Sequence, residues 1–193
     1  MAEQYSEQHN MSRVGKLLIA HPKLSVNSSF HKSVIFIYSD TAQGTSGLII
    51  NKPSRFTVSN LAEARGVEYP LTKDYIRVGG PVSDKALLML HTDDWSCTNT
   101  VDICAGLRIT SDDFMIEKLA QGYQPTYWRM MGGVCAWQPG QLEMELKGQE
   151  PYRPENSWLT CKSNDDILFT YDGERQWEKA VELSSRQLFN QYI

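Results

Sequence analysis

The chain has 193 residues, 41% hydrophobic and 22% charged, which excludes a disordered or fibrous protein and is enough to bury a core without disulfide or metal staples. A formal net charge of −4 withholds the bulk attraction to phosphate that nonspecific nucleic-acid binding needs. No run of about eighteen apolar residues occurs, so no membrane-spanning helix is expected. Residues 1–12 read as a mobile polar tail, and 13–193 as a single domain with room for a small subdomain. Residues 14–20, 33–39 and 46–51 are rich in Ile, Val and Leu and read as strands, the last two joined as a hairpin through the turn residues 40–44. Lys52 precedes Pro53, which cannot donate to a ladder, so the third strand is expected to stop there. Thr57 suits the N-cap of a short helix running to Arg65, with Gly66 as its left-handed terminator.

Residues 75–78 and 86–91 read as strands meeting at the corner Gly79-Gly80-Pro81, and 101–104 and 107–110 as a hairpin around Ala105-Gly106. Ser111 is expected to cap a helix whose Ile116, Leu119, Ala120 and Tyr123 share one face. Residues 127–131 read as a strand, and Pro139 opens a helix carrying Leu142 and Leu146. A loop over 148–156 leads to a strand at 157–161. Ser163 and Asp166 pair as a cap, and a last helix from Glu174 carries Trp177, Ala180, Val181, Ser184 and Leu188 on one stripe. Strands outnumber helices and several are hairpin-linked, which argues for an α+β fold with a mainly antiparallel, curved sheet covered by helices.

Cys97, Cys104, Cys135 and Cys161 contain no C-x-x-C pair, so no zinc or thioredoxin-type spacing is present, and reduced, largely buried thiols in a reducing compartment are expected. Cys97, Cys104 and His91 have no spacing that supports a specific metal site. Asn51, at a strand end, offers a donor and an acceptor to a ligand, though the same pair also suits its own loop. Gly79 and Gly80 permit a tight corner or an anion-binding nest of amides. His91 and Thr92 close a strand, where a histidine serves as base or ligand if a carboxylate such as Asp93 or Glu143 is in reach. Gln141 and Glu143 lie early in a helix beside Trp137, where capping and the helix dipole already favour them. These seven positions, Asn51, Gly79, Gly80, His91, Thr92, Gln141 and Glu143, are the candidate ligand-binding set. Ser46, Ser96 and Ser111 do not lie in a G-x-S-x-G elbow.

Three segments in order, Gly47-Leu48-Ile49-Ile50-Asn51-Lys52-Pro53, Gly79-Gly80-Pro81-Val82 and Trp137-Gln138-Pro139-Gly140-Gln141-Leu142-Glu143, resemble the YqgE/AlgH family. With Leu18-Ile19-Ala20, His91-Thr92, Thr110-Ser111 and Trp158-Leu159, the resemblance runs from Gly15 to about Leu183. It implies an α+β fold around a barrel-like sheet flanked by helices, with no cofactor, no metal and no agreed catalytic residues. Some members carry a transcriptional-regulator label from a link to alginate production, but no familiar DNA-reading motif occurs here. Where the family tends to read Gly-Tyr-Ala-Gly-Trp, this chain has Gly133-Val134-Cys135-Ala136-Trp137, and the connection from Leu146 to Trp158 is several residues longer. A ligand site near Trp137 therefore does not transfer from relatives.

The leading expectation is a cytoplasmic, non-catalytic binding or regulatory module whose partner is a small molecule or a protein, with no membrane contact. The first alternative is a hydrolase-type enzyme that gathers Asn51, Gly80, His91 and Glu143 at one end of the sheet. The second is a nucleic-acid-binding or transcription-related regulator, disfavoured by charge, which needs a contiguous basic face from among Lys16, Arg55, Arg65, Lys73, Arg77 and Arg129.

Overall fold

The computed structural model describes residues 12–70, 73–151 and 158–190, so most of the expected tail and much of the long loop lie outside the described residues. In chain order the elements are β1 (Lys16–Ala20), β2 (Val34–Thr41), β3 (Gly44–Ile49), β4 (Pro53–Thr57), α1 (Val58–Ala64), β5 (Tyr75–Val78), β6 (Val82–Thr92), β7 (Thr100–Cys104), β8 (Leu107–Thr110), α2 (Met115–Ala120), β9 (Trp128–Trp137), α3 (Gln141–Lys147), β10 (Trp158–Lys162), a π-helical turn over Asp166–Thr170, and α4 (Gly173–Phe189). The fold is α+β: the strands curl into a half-barrel in the order β10-β1-β2-β3-β9-β6-β8-β7, with β4 and β5 attached beside it. The described ladders are antiparallel, except that β5 runs parallel to β9.

Side chains alternate across a strand, and here both faces are covered, which is why the strands read as continuous apolar runs. Leu17, Ile19, Phe36, Leu48, Ile50 and Leu90 point to one face, where Trp177 and Ala180 of α4 pack on them. Their neighbours Leu18, Ile35, Ile37 and Ile49 point to the other, under Leu142 of α3 and Trp137. In the second half of the sheet, Met89 and Met130 carry Val58 and Ala62 of α1 and Met115 and Ile116 of α2. The hairpins β2–β3 and β7–β8 form as expected, and Thr57 caps α1 in a full capping box with Asn60, with Gly66 in the left-handed region behind it.

β3 ends at Ile49, short of Pro53 as expected. A new strand begins at Pro53 and pairs with β5, because a proline at the first position of a peripheral strand forfeits no needed donor. Two local expectations are corrected. Ser111 does not cap α2. Asp112 holds that turn instead, its Oδ1 accepting from the Phe114 amide at 2.8 Å and its Oδ2 from the Asn99 amide at 3.1 Å, and the helix starts at Met115. Near the C-terminus, Asn164 rather than Ser163 caps the turn, accepting from the Ile167 amide at 2.9 Å, and that turn is π-helical.

The glycine corner joins β5 to β6 as expected, but the two strands do not pair with each other. It carries the chain across β9, with β5 pairing β9 through Arg77 and Val78, and β6 pairing it in the opposite sense through Val82 and Leu87–His91. The Gly79 amide donates to the Gly132 carbonyl at 2.7 Å and its carbonyl accepts from Ile49 at 2.8 Å. Between Val82 and Leu87 five steps along β6 answer to two along β9, a wide bulge in which Ser83 takes a φ of 52°.

Candidate functional site

The polar candidates are mostly consumed by the fold. Asn51 is 2% exposed, and its Oδ1 accepts from the Val34 amide at 2.8 Å while Nδ2 donates to the carbonyls of Lys32 at 2.8 Å and Gly173 at 3.0 Å. It ties the loop before β2 to the start of α4. His91 is fully buried in β6, edge-on to Trp95 with ring centroids 5.1 Å apart. Its Nδ1–H donates to the Thr92 carbonyl at 2.7 Å, which fixes the tautomer and leaves Nε2 to accept from the Thr110 hydroxyl at 2.9 Å. The Thr100 hydroxyl donates to Thr110 at 2.7 Å and accepts from the Cys97 amide at 2.7 Å, so the chain of donors is complete. Burial lowers the His91 pKa and the nearby Arg108 charge pushes the same way, against the Thr92 carbonyl bond and Asp94. The ring is held neutral.

This has a consequence for stability against pH. A histidine whose pKa is depressed on folding binds its proton more readily in the unfolded chain, so stability falls as pH drops below the unfolded value of about 6.5. We expect the urea midpoint of the wild type to decline from pH 7 to pH 5. His91→Gln, which keeps one donor and one acceptor, should start lower at pH 7 and lose the His91 share of that slope. An unchanged slope in the variant would assign the effect to other groups.

Thr92 locks the following turn. Its hydroxyl donates to Asp94 at 2.6 Å and accepts from the Tyr127 amide at 3.2 Å. Asp94 also accepts from the Thr126 amide and hydroxyl, and these bonds, with that from Thr92, hold its carboxyl down to about 2. In α3, Gln141 accepts from the Gln138 amide and donates to Glu145. Glu145 in turn accepts the indole N–H of Trp137 at 3.1 Å and of Trp158 at 3.0 Å. Glu143 pairs with Lys147 at 3.2 Å and lies 3.9 Å from Arg13. Gly79 and Gly80 are buried against β9, and the Gly79 amide is spent on Gly132 rather than turned outward.

Asn51, Gly80, His91 and Glu143 share no hydrogen-bond partner, and Gly80 abuts Val134 while His91 pairs with Trp128, six residues away along β9, a separation of about 20 Å. Of the basic residues, Arg129 is 3% exposed, Arg65 pairs with Asp113, and Arg77 pairs with Asp172. Among the described residues, no three His, Cys, Asp or Glu side chains are grouped as metal ligands would be. All four cysteines are free thiols, and burial pushes Cys135 and Cys161 up to about 12.

Among the described residues, one open cleft, of about 560 Å³, lies between α1, β5 and the bulged start of β6. Phe56, Leu61, Ala64, Ile76, Val78 and Leu87 supply its apolar walls, and Gly80 borders it, the one residue of the candidate set that does so. Two of these walls are large apolar side chains left exposed, Phe56 at 51% and Val78 at 46%. Among the described lining residues the one charged side chain is Arg77. Sequence reasoning missed this site because β4 and β5 are too short to show a period, so Phe56 and Val78 carry no pattern that marks them as walls.

The sequence model of the AlgH-like family matches residues 17–188, nearly the whole chain. The chain belongs to the AlgH-like family. It is 34% identical over 179 residues to a UPF0301 protein of Ruegeria pomeroyi, covering 90% of this chain and 92% of that one, and 31% identical over 169 residues to another from Methylococcus capsulatus, covering 86% and 88%. Among solved structures it is similar to the AlgH protein from Pseudomonas aeruginosa, with a TM-score of 0.71, 27% identity, and coverage of 88% of this chain and 87% of that one. A crystal structure from Corynebacterium diphtheriae, at 20% identity and a TM-score of 0.67 over 86% and 84%, shares the fold. This AlgH-like chain has no helix among its described residues that is long and apolar enough to cross a membrane.

Proposed function

We propose that this AlgH-like protein is a non-catalytic binding module of regulatory type, acting in the cytoplasm, and that it takes a small molecule into the cleft between α1, β5 and β6. The observation that carries the reading is the cleft itself, about 560 Å³ of largely apolar hollow with Phe56 and Val78 exposed on its walls, within the size range of ligand pockets. The neutral, doubly bonded His91 and the fully bonded Asn51 support it, since each is built as a brace. Four free thiols favour a reducing compartment. The family match over 17–188 supports one functional unit within 13–193. In this reading Gly80 borders the ligand, while Asn51, Gly79, His91, Thr92, Gln141 and Glu143 hold the frame.

The test uses the neutral fluorophore N-phenyl-1-naphthylamine on the full chain. The wild type should bind it saturably, and Ala64→Trp, which puts an indole into the cleft from an exposed position of α1, should abolish the signal without changing the melting temperature appreciably. A multiple-turnover reaction lost in His91→Gln would overturn the non-catalytic reading.

A further inference from the structure

The charges around the cleft are one-sided. Arg77, one of the lining residues, donates to Asp172, just before α4, at 2.7 Å and to the Tyr75 carbonyl at 3.0 Å. The same carboxylate also receives Arg129, at 3.3 Å, so two guanidiniums share one acid and the cluster keeps one uncompensated positive charge. The shortfall extends to hydrogen bonding, because Arg77 Nε and Arg129 Nε are both buried without an acceptor. Arg55, next in the chain to the wall residue Phe56, is exposed and lies over the Phe56 ring, 4.9 Å from its centroid, and among the described residues it has no carboxylate partner. Phe56 is itself a wall of the cleft, so this cation stands beside the cleft. No Asp or Glu occurs among the described lining residues.

An apolar ligand without charge would fill the hollow but leave this excess positive charge unanswered. A cationic ligand would meet repulsion from Arg77 and from Arg55. We propose that the cleft takes a soluble amphiphilic anion, an apolar chain or ring body ended by a single carboxylate-type group, with the body against Leu61, Ile76 and Leu87 and the charge drawn to Arg55 and the Arg77 cluster. This deepens the reading of the cleft as a binding site and depends on it.

A matched pair of probes separates the two. 1-Anilinonaphthalene-8-sulfonate carries the same aromatic body as N-phenyl-1-naphthylamine plus one negative charge. On the full chain the anionic probe should bind about tenfold more tightly than the neutral one at low salt, the margin should shrink as salt rises, and decanoate should displace it. Arg55→Glu, at an exposed position with no ion pair to lose among the described residues, should weaken the anionic probe about tenfold or more and leave the neutral probe within about twofold. Equal affinity of the two probes, or an anionic probe indifferent to Arg55→Glu, overturns the anion proposal while the cleft remains a binding site. Failure of both probes to bind the wild type, or binding of both undisturbed by Ala64→Trp, overturns the cleft reading and the anion proposal with it.

Discussion

Gly80→Ala is expected to cost about 3 kcal/mol or more and to lower the melting temperature by roughly 6–12 °C, among the largest effects available to a single methyl group in this protein. The reason is where the corner crosses β9. A Cβ built on Gly80 would lie 2.1 Å from the Val134 carbonyl carbon, 2.2 Å from its oxygen and 2.4 Å from the Cys135 amide nitrogen. All three are backbone atoms, so no rotamer change relieves the contact, and the ladder that joins β6 to β9 has to shift. Gly79→Ala meets the same obstacle at the Gly133 oxygen, 2.3 Å away, and belongs to the same class. Thermal melts of Gly80→Ala beside the wild type check this. A melting temperature within about 1 °C of the wild type would mean that the crossing is loose and that the glycine serves another end.

Arg129→Met is the second large effect, expected to destabilise by about 2–3 kcal/mol. Arg129 lies in β9, and Nη1 donates to the Ile50 carbonyl at 3.0 Å, to Asp172 at 3.3 Å and to Gln176 at 3.4 Å, while Nη2 donates to the Tyr171 carbonyl. One side chain thus binds the sheet to the end of β3 and to the start of α4. Two effects oppose each other. Burial of the charge is costly: desolvation first, and then the Arg77 charge, bring its pKa down to about 10 against the pull of Asp172. Removing that charge recovers part of the cost. Methionine, however, leaves the Ile50 and Tyr171 carbonyls without this donor, at about 1–3 kcal/mol each, and removes one of the two cations that hold Asp172. The orphaned acceptors outweigh the recovered desolvation. Chemical denaturation of Arg129→Met and Arg129→Lys measures the balance, with the lysine variant falling between methionine and wild type. A methionine variant as stable as the wild type would show that α4 is held by apolar packing alone.

Much of the frame was legible along the chain because the signals are local. Apolar runs marked β1, β2 and β3, the turn at Ala105-Gly106 marked the hairpin of β7 and β8, the Thr57-to-Gly66 pattern marked α1 with both its caps, and the ordered glycine, proline and tryptophan segments pointed to the family. Errors fell where two side chains of the same chemistry competed for one job. Ser111 and Asp112 are neighbours, and so are Ser163 and Asn164; which oxygen reaches the free amide depends on how the preceding strand delivers the backbone. The candidate set shows the same limit. Asn51 and His91 read as polar groups at strand ends, but nothing in a linear order tells whether such groups turn to solvent or inward.

Local spacing, turn chemistry and apolar runs already dictated an α+β chain with a curved antiparallel sheet, because these act between residues a few positions apart. The crossing of β9 at Gly79–Gly80, the inward closure of His91 on Thr110, and the meeting of Arg77 with Arg129 at Asp172 were decided by contacts between segments remote in the chain. The cleft belongs to that second group. Its walls come from β4, α1, β5, β6 and β9, and an apolar side chain becomes a wall or a core residue according to which element folds over it.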